Sequence, residues 1–224
     1  EGVTVPAYAT YTERDYEYII DDCRPSVVFV SNDIQYQKIK NIIPKKNFIK
    51  KVIIFEKIDN LDNTFFLDIN NIFKDKNYKL INFLDLKINR KNIACIIYTS
   101  GTQGNPKGVI LSHGGILNNC QGSCELLKPI VSNSPKFLTW LPLSHSYEHT
   151  IQFVQIAVGA KVFYAESIEK LVKNMSDCSP EIMTAVPRFY QNLYQKINTT
   201  FDKAVGLKKF FILKTIKLGK KKII

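Results

Sequence analysis

The chain is 224 residues long, 45% hydrophobic and 23% charged, with a formal net charge of +11. That length can bury a sizeable core, and no apolar run approaches the roughly 20 residues that a bilayer-spanning helix needs. The positive balance comes from 27 lysines against only 4 arginines; base readout and bidentate phosphate grip favour arginine, so nucleic acid is not an expected partner.

The opening "EGVTVPAY" has no Met, no basic stretch and no long apolar segment. It is expected to lie inside a longer protein, not to be a signal peptide. "VTVPAYA" predicts a strand and "TERDYEYIIDD" a helix, with Thr12 capping and Asp15 reaching back to it. A strand "SVVFVS", a helix "DIQYQKIKNII" and a strand "KVIIFEK" follow. Residues 59–92 are rich in Asn, Asp and Lys and predict only a short helix over 65–73 and a connecting loop.

The alternation then resumes with a strand "NIACIIYTS", a loop, and a helix "GGILNNCQGSCELL". After these come "KFLTWLPLS", "EHTIQFVQIAV", "AKVFYAE", "SIEKLVKNMS", "EIMTAVP" and "RFYQNLYQKI", strand and helix in turn. Strands apolar on both faces and separated by helices predict an α/β fold of mostly parallel sheets flanked by helices. Cys23, Cys95, Cys120, Cys124 and Cys178 are odd in number and form no C-x-x-C pair. They read as reduced thiols in a cytoplasmic setting. Cys120 and Cys124 share a helix face, where packing is the expected role because no further ligand lies nearby.

The loop in "YTSGTQGNPKGV" is the chemically richest stretch. Gly101, Gly104 and Gly108 free the backbone to turn N–H groups toward one point, Thr99, Ser100 and Thr102 add hydroxyls, and Lys107 adds charge. That combination suits a phosphate chain at the carboxyl end of a strand. A Walker A loop does not fit, since Pro106 stands where the second glycine belongs and Gly108 where the Mg²⁺-holding hydroxyl belongs. A plain surface turn started by Asn105 and Pro106 is the competing reading.

The same residues resemble the phosphate-binding signature of the AMP-forming acyl-CoA synthetase superfamily, Y-T-S-G-T-[TS]-G-x-P-K-G, with Gln103 departing from the usual Thr or Ser. "WLPLSHSYEHT" and "IMTAVPRFYQNLYQKI" are similar to later segments of long-chain fatty acid ligases, and the opening resembles their early βα units. The resemblance implies that residues 1–224 are part of the large amino-terminal adenylation domain, with the small carboxy-terminal domain absent. It implies ATP, Mg²⁺, coenzyme A and a fatty acid as ligands. Thr99, Ser100, Gly101, Thr102, Gln103, Gly104 and Lys107 would hold the phosphates, and His145 would orient the substrate carboxylate. Trp140, Tyr147 and Phe153 could line an acyl tunnel, with core packing the alternative for each. No protein ligand to a metal is implied. A carrier-protein thiol as acceptor, or a nucleotide-binding module without catalysis, are the other outcomes compatible with these motifs.

His145-Ser-Tyr-Glu-His149 also spells H-x-x-E-H, the arrangement of inverted zinc peptidases. Its context disfavours zinc: the segment follows an apolar strand-like run, placing His145 at a strand-to-helix turn, and no second motif supplies a third ligand. Capping or packing is the structural alternative for His145; His149 and His113 are expected to be structural. The tail "GLKKFFILKTIKLGKKKII" mixes lysines with apolar residues but has no clean apolar stripe. It could rest peripherally on an anionic membrane or pack as a helix against other parts of the domain.

Overall fold

A computed structural model describes residues 2–58, 61, 65–74, 86–99 and 105–222, with the backbone alone for 220–222. Helix α1 (Glu13–Cys23) begins where the sequence predicts, because the Thr12 hydroxyl accepts from the Asp15 N–H while the Asp15 carboxylate accepts from the Thr12 N–H. This reciprocal pair satisfies donors that a helix start otherwise leaves open. Its hydrogen bonds to Thr12 also hold the Asp15 carboxyl below the usual carboxylate range. Strand β1 (Val27–Val30), helix α2 (Asp33–Ile39), a 3-10 turn (Ile43–Lys45) and strand β2 (Lys51–Ile54) follow.

Residues 65–73 depart from the expected helix. Phe66–Asp68 forms strand β3, and only then does α3 (Ile69–Lys74) begin. Asp68 marks the boundary, its carboxylate accepting the Asn70 N–H at 2.7 Å, and Phe66 packs edge-on against Phe65 and Tyr36. β3 joins β2 to complete a parallel sheet in the order β1-β2-β3. Val30, Val52 and Ile54 pack with Ile20 of α1 and Ile39 of α2 in one apolar cluster. On β1 the alternate positions point away, leaving Phe29 62% exposed. Among the described residues, the packing on this sheet lies on one face.

The expected first strand is reduced to a single bridge, Thr4 to Cys95; Pro6 lacks the N–H that a longer ladder would need. Strand β4 (Ile93–Thr99) then does not lead directly into a helix. The chain returns as β5 (Lys107–Ser112), antiparallel to β4, before helix α4 (His113–Leu127) starts at a Ser112 cap. α4 buries Ile116 and Cys120 against Cys95 and Ile97 of β4 and against Val154 of α5 (Ser146–Ala157). Cys120 is therefore a packing residue beside the half-buried Cys124.

The second parallel sheet has β6 (Lys136–Thr139) in its centre, between β7 (Lys161–Tyr164) and β8 (Ile182–Met183). α5 connects β6 to β7, and α6 (Leu171–Cys178) connects β7 to β8. Chain order and spatial order therefore part company at the carboxyl end of β6, the place where open α/β sheets form a crevice. Two further helices, α7 (Pro187–Asp202) and α8 (Gly206–Lys222), close the described chain. Apolar side chains surround α8 instead of forming a stripe: Leu207, Phe210, Phe211, Leu213 and Leu218 are all exposed. Among the described residues no helix is long and apolar enough to cross a membrane.

Candidate functional site

Two groups of residues carry the chemistry read from the sequence. The first sits at the open end of the β4–β5 hairpin. Thr99 and Lys107 are cross-strand partners, as are Tyr98 and Gly108, so the two ends of the glycine-rich loop are pinned side by side. Lys107 is exposed there. Ser100, Gly101, Thr102, Gln103 and Gly104 lie outside the described residues.

Tyr98 fixes this end of β4 to the first part of the chain. It is almost fully buried, and its hydroxyl donates to the Asp22 carboxylate at 2.5 Å. Burial first, and the bond to Asp22 second, push its phenol well above the ordinary range. Tyr98 therefore serves as a neutral anchor. Gly108 is close-packed opposite it: a Cβ there would meet Ile96 Cγ2 at 2.9 Å and the Tyr98 ring at 3.2 Å.

The second group lies beyond the carboxyl end of β6. The Trp140 indole N–H donates to the Thr184 carbonyl at 2.6 Å, and its ring meets Phe189 with centroids 5.2 Å apart. The residue is half-buried and joins β6 to the segment between β8 and α7. Of the three acyl-lining candidates, Tyr147 is the freest, 47% exposed on the first turn of α5. Phe153 stacks edge-on against His149.

His145 is the N-cap of α5, and its Nδ1 accepts from the Tyr147 N–H at 3.2 Å. In the neutral ring the proton then belongs on Nε2. The cap and a donor role toward a carboxylate use different nitrogens, so capping does not exclude the chemical reading. His149 pairs its own Nδ1 with the Leu143 carbonyl at 3.1 Å. Glu148, the third member of H-x-x-E-H, is fully buried and receives the Thr184 hydroxyl at 2.6 Å. The three side chains thus serve three different partners, and among the described residues no cluster of His, Cys, Asp or Glu could hold a metal ion.

The hairpin group and the β6 group are joined through packing of α4 on α5 around Ile116, Cys120 and Val154. Among the described residues no hydrogen bond links Lys107 to His145 or Trp140. Sequence reasoning missed the anchoring role of Tyr98 and the burial of Glu148. The partner of each lies far away in the chain, so no local pattern marks either one.

A family model described as AMP-binding enzyme matches residues 1–216 of the chain. Among curated relatives, a long-chain-fatty-acid–CoA ligase of Rattus norvegicus, ACSBG2, is 29% identical over 221 residues, spanning 93% of this chain and 33% of its own length. Long chain acyl-CoA synthetase 4 of Arabidopsis thaliana is also 29% identical over 221 residues, spanning 92% of this chain and 32% of its own. The chain therefore spans about a third of the length of the relatives it matches. Solved structures share the fold. The anthranilate CoA ligase AuaEII, in complex with anthranoyl-AMP, aligns with a TM-score of 0.69 at 20% identity over 84% of this chain and 36% of that one. o-Succinylbenzoate CoA synthetase of Bacillus subtilis, in complex with an acyl-adenylate, aligns with a TM-score of 0.64 at 15% identity over 86% and 45%.

Proposed function

Because the chain belongs to the family of AMP-binding enzymes, we propose that it is part of the adenylation domain of an ATP-dependent ligase that converts a long-chain fatty acid to its coenzyme A thioester. In this reading residues 1–224 belong to the large domain, and the family's small carboxy-terminal domain lies outside them. The names of the curated relatives support the acyl class and the coenzyme A acceptor. The observation that carries the reading is the phosphate-loop signature strung between β4 and β5, its ends held together by the Thr99–Lys107 pairing.

The reaction has two steps. A carboxylate oxygen of the fatty acid attacks the α-phosphorus of ATP, forming an acyl-phosphate bond while the bridge to the β-phosphorus breaks and pyrophosphate leaves. The thiolate of coenzyme A then attacks the acyl carbon, and AMP departs with the oxygen that linked them. The first step sets two anions against each other, so the protein's task is alignment and charge stabilisation. The hairpin provides Thr99 and Lys107, and the stretch between them Ser100, Gly101, Thr102, Gln103 and Gly104, suited to the departing β- and γ-phosphates; Mg²⁺ enters with the nucleotide as MgATP. Across the site, His145 Nε2–H donates to the substrate carboxylate and holds it for attack. Tyr147, together with the Trp140–Phe189 pair, offers apolar surface for the start of the acyl chain.

Lys107→Ala in the intact protein tests this. Removing a positive charge from a developing pyrophosphate should slow fatty-acid-dependent pyrophosphate release about 100- to 1,000-fold, with the KM for fatty acid little changed. Unchanged turnover would remove Lys107 from the phosphate site. Formation of ADP in place of AMP would exclude adenylation altogether.

A further inference from the structure

Behind His145 lies a polar cluster that the two reaction steps do not use. Glu148, in the first turn of α5, has none of its surface exposed to solvent. Its Oε2 accepts the Thr184 hydroxyl at 2.6 Å, and the Thr184 carbonyl accepts the Trp140 indole N–H, also at 2.6 Å. Beside it, Thr139 Oγ1 accepts from Gln155 Nε2 at 2.9 Å. The first turn of α5 is thus stitched to the end of β8 through Glu148, and its last turn to the end of β6 through Gln155. Glu148 Oε1, however, is buried and without a hydrogen-bond partner among the described residues.

The partners on offer decide what this carboxyl can be. An ionised carboxylate in such a place needs both oxygens served, and a cation or several N–H donors, to offset its lost hydration. The groups that bias it are the hydroxyls of Thr184 and Thr139, and desolvation outweighs both, raising its carboxyl above the ordinary range. The titratable neighbours on α5 are engaged elsewhere or exposed. His145 caps through Nδ1, His149 bonds Leu143, and Tyr147 is on the surface. From β7, the Tyr164 hydroxyl donates to Gln152. None of these donates a hydrogen bond to Glu148.

We propose that Glu148 is a positioning residue: held as a neutral acid, it locks the first turn of α5 onto the end of β8 and thereby fixes the His145 cap at the site. The positioning of a substrate carboxylate by His145 rests on the ligase reading above; the neutral lock does not. Glu148→Gln is the isosteric neutral substitute, and Glu148→Ala removes the lock.

The test uses the intact protein and three readouts. Infrared difference spectroscopy of wild type against Glu148→Gln should show the carbonyl stretch of a buried, protonated carboxylic acid in wild type alone. Equilibrium unfolding across pH should show wild type losing stability relative to Glu148→Gln as pH rises from the ordinary carboxylate range through the raised one. The sign follows because the unfolded chain releases that proton first. Fatty-acid-dependent ATP–pyrophosphate exchange should remain within about threefold of wild type in Glu148→Gln. It should fall about tenfold or more in kcat in Glu148→Ala, with the KM for ATP nearly unchanged, since the phosphate loop hangs from a different sheet. A missing acid band, identical pH dependence in wild type and Glu148→Gln, or a Gln variant as slow as the Ala variant would overturn the proposal. No exchange in any protein, with the band and the pH difference present, would support the lock and overturn the ligase reading.

Discussion

His145 caps α5 through Nδ1, and in the ligase proposal its Nε2 serves the substrate; substitution separates the two roles. Asparagine is among the best N-cap residues and alanine among the poor ones. His145→Asn should therefore keep the start of α5 while losing the imidazole, and His145→Ala should lose both. Thermal unfolding should place the Asn variant near wild type and the Ala variant about 1 kcal/mol lower. Both should adenylate roughly 100- to 1,000-fold more slowly, as expected when one donor to a reacting oxygen is removed. An Ala variant as stable as wild type would show that the bond to Tyr147 N–H contributes nothing. The place of His145 was legible because "WLPLSHSYEHT" moves from an apolar run to a helical pattern at that residue. Glu148 was not. Its burial depends on Thr184 and on the end of β6, while its immediate sequence resembles a set of exposed ligands.

Elements were legible where local chemistry sets their ends. The Thr12–Asp15 box announces α1, and the apolar runs announce β1, β2, β4 and β6. The strand β5 was hidden because hairpins are recognised by short turns, and here residues 100–106 separate the partners. β3 was hidden for a different reason: Phe65, Phe66 and Leu67 suit a strand and a helix equally, and only pairing with β2 decides. Helix α4 offers a paired test of how closely the elements pack. A Cβ on Gly114 would lie 2.8 Å from the Arg90 carbonyl oxygen and 3.0 Å from Arg90 Cβ, whereas one on Gly122 meets nothing within 4 Å. Gly114→Ala should cost about 1–3 kcal/mol, because backbone must move. Gly122→Ala should stabilise by about 0.5–1 kcal/mol, the usual gain in a helix interior. Denaturant titration of the two variants checks both signs.

At the scale of the whole molecule the described chain leaves much apolar surface in water. Phe29 on the open face of the first sheet, Ile156 on α5, and Val205 and Leu207 at the start of α8 are examples, the last three each more than three-quarters exposed. Patches of this kind mark surfaces that other protein ordinarily covers, and the relatives are about three times longer. The 224-residue chain by itself should bind a hydrophobic dye, aggregate as concentration rises and form no acyl-CoA. A longer protein that includes the carboxy-terminal domain should form thioester with AMP as product. Radiolabelled fatty acid followed into thioester distinguishes the two, and turnover by the short chain would mean that the catalytic groups are misplaced here. The sequence showed strands apolar on both faces, but not which face would be left without a partner, since alternation says nothing about what packs from outside.

The difference between the two kinds of sheet also bears on the order in which the molecule assembles. β4 meets β5 across one local loop, so only a short stretch of chain must close before the ladder can zip. Residue 137 of β6, by contrast, must wait for residue 182 of β8, with α5, β7 and α6 between them. Closure of short loops takes well under a microsecond and hairpins form in microseconds, while distant parallel pairing is slow. On a ribosome the strands bracketing the glycine loop can thus be joined before β8 has been synthesised. The crevice at the end of β6, flanked by β7 and β8, cannot be completed until β8 has been made.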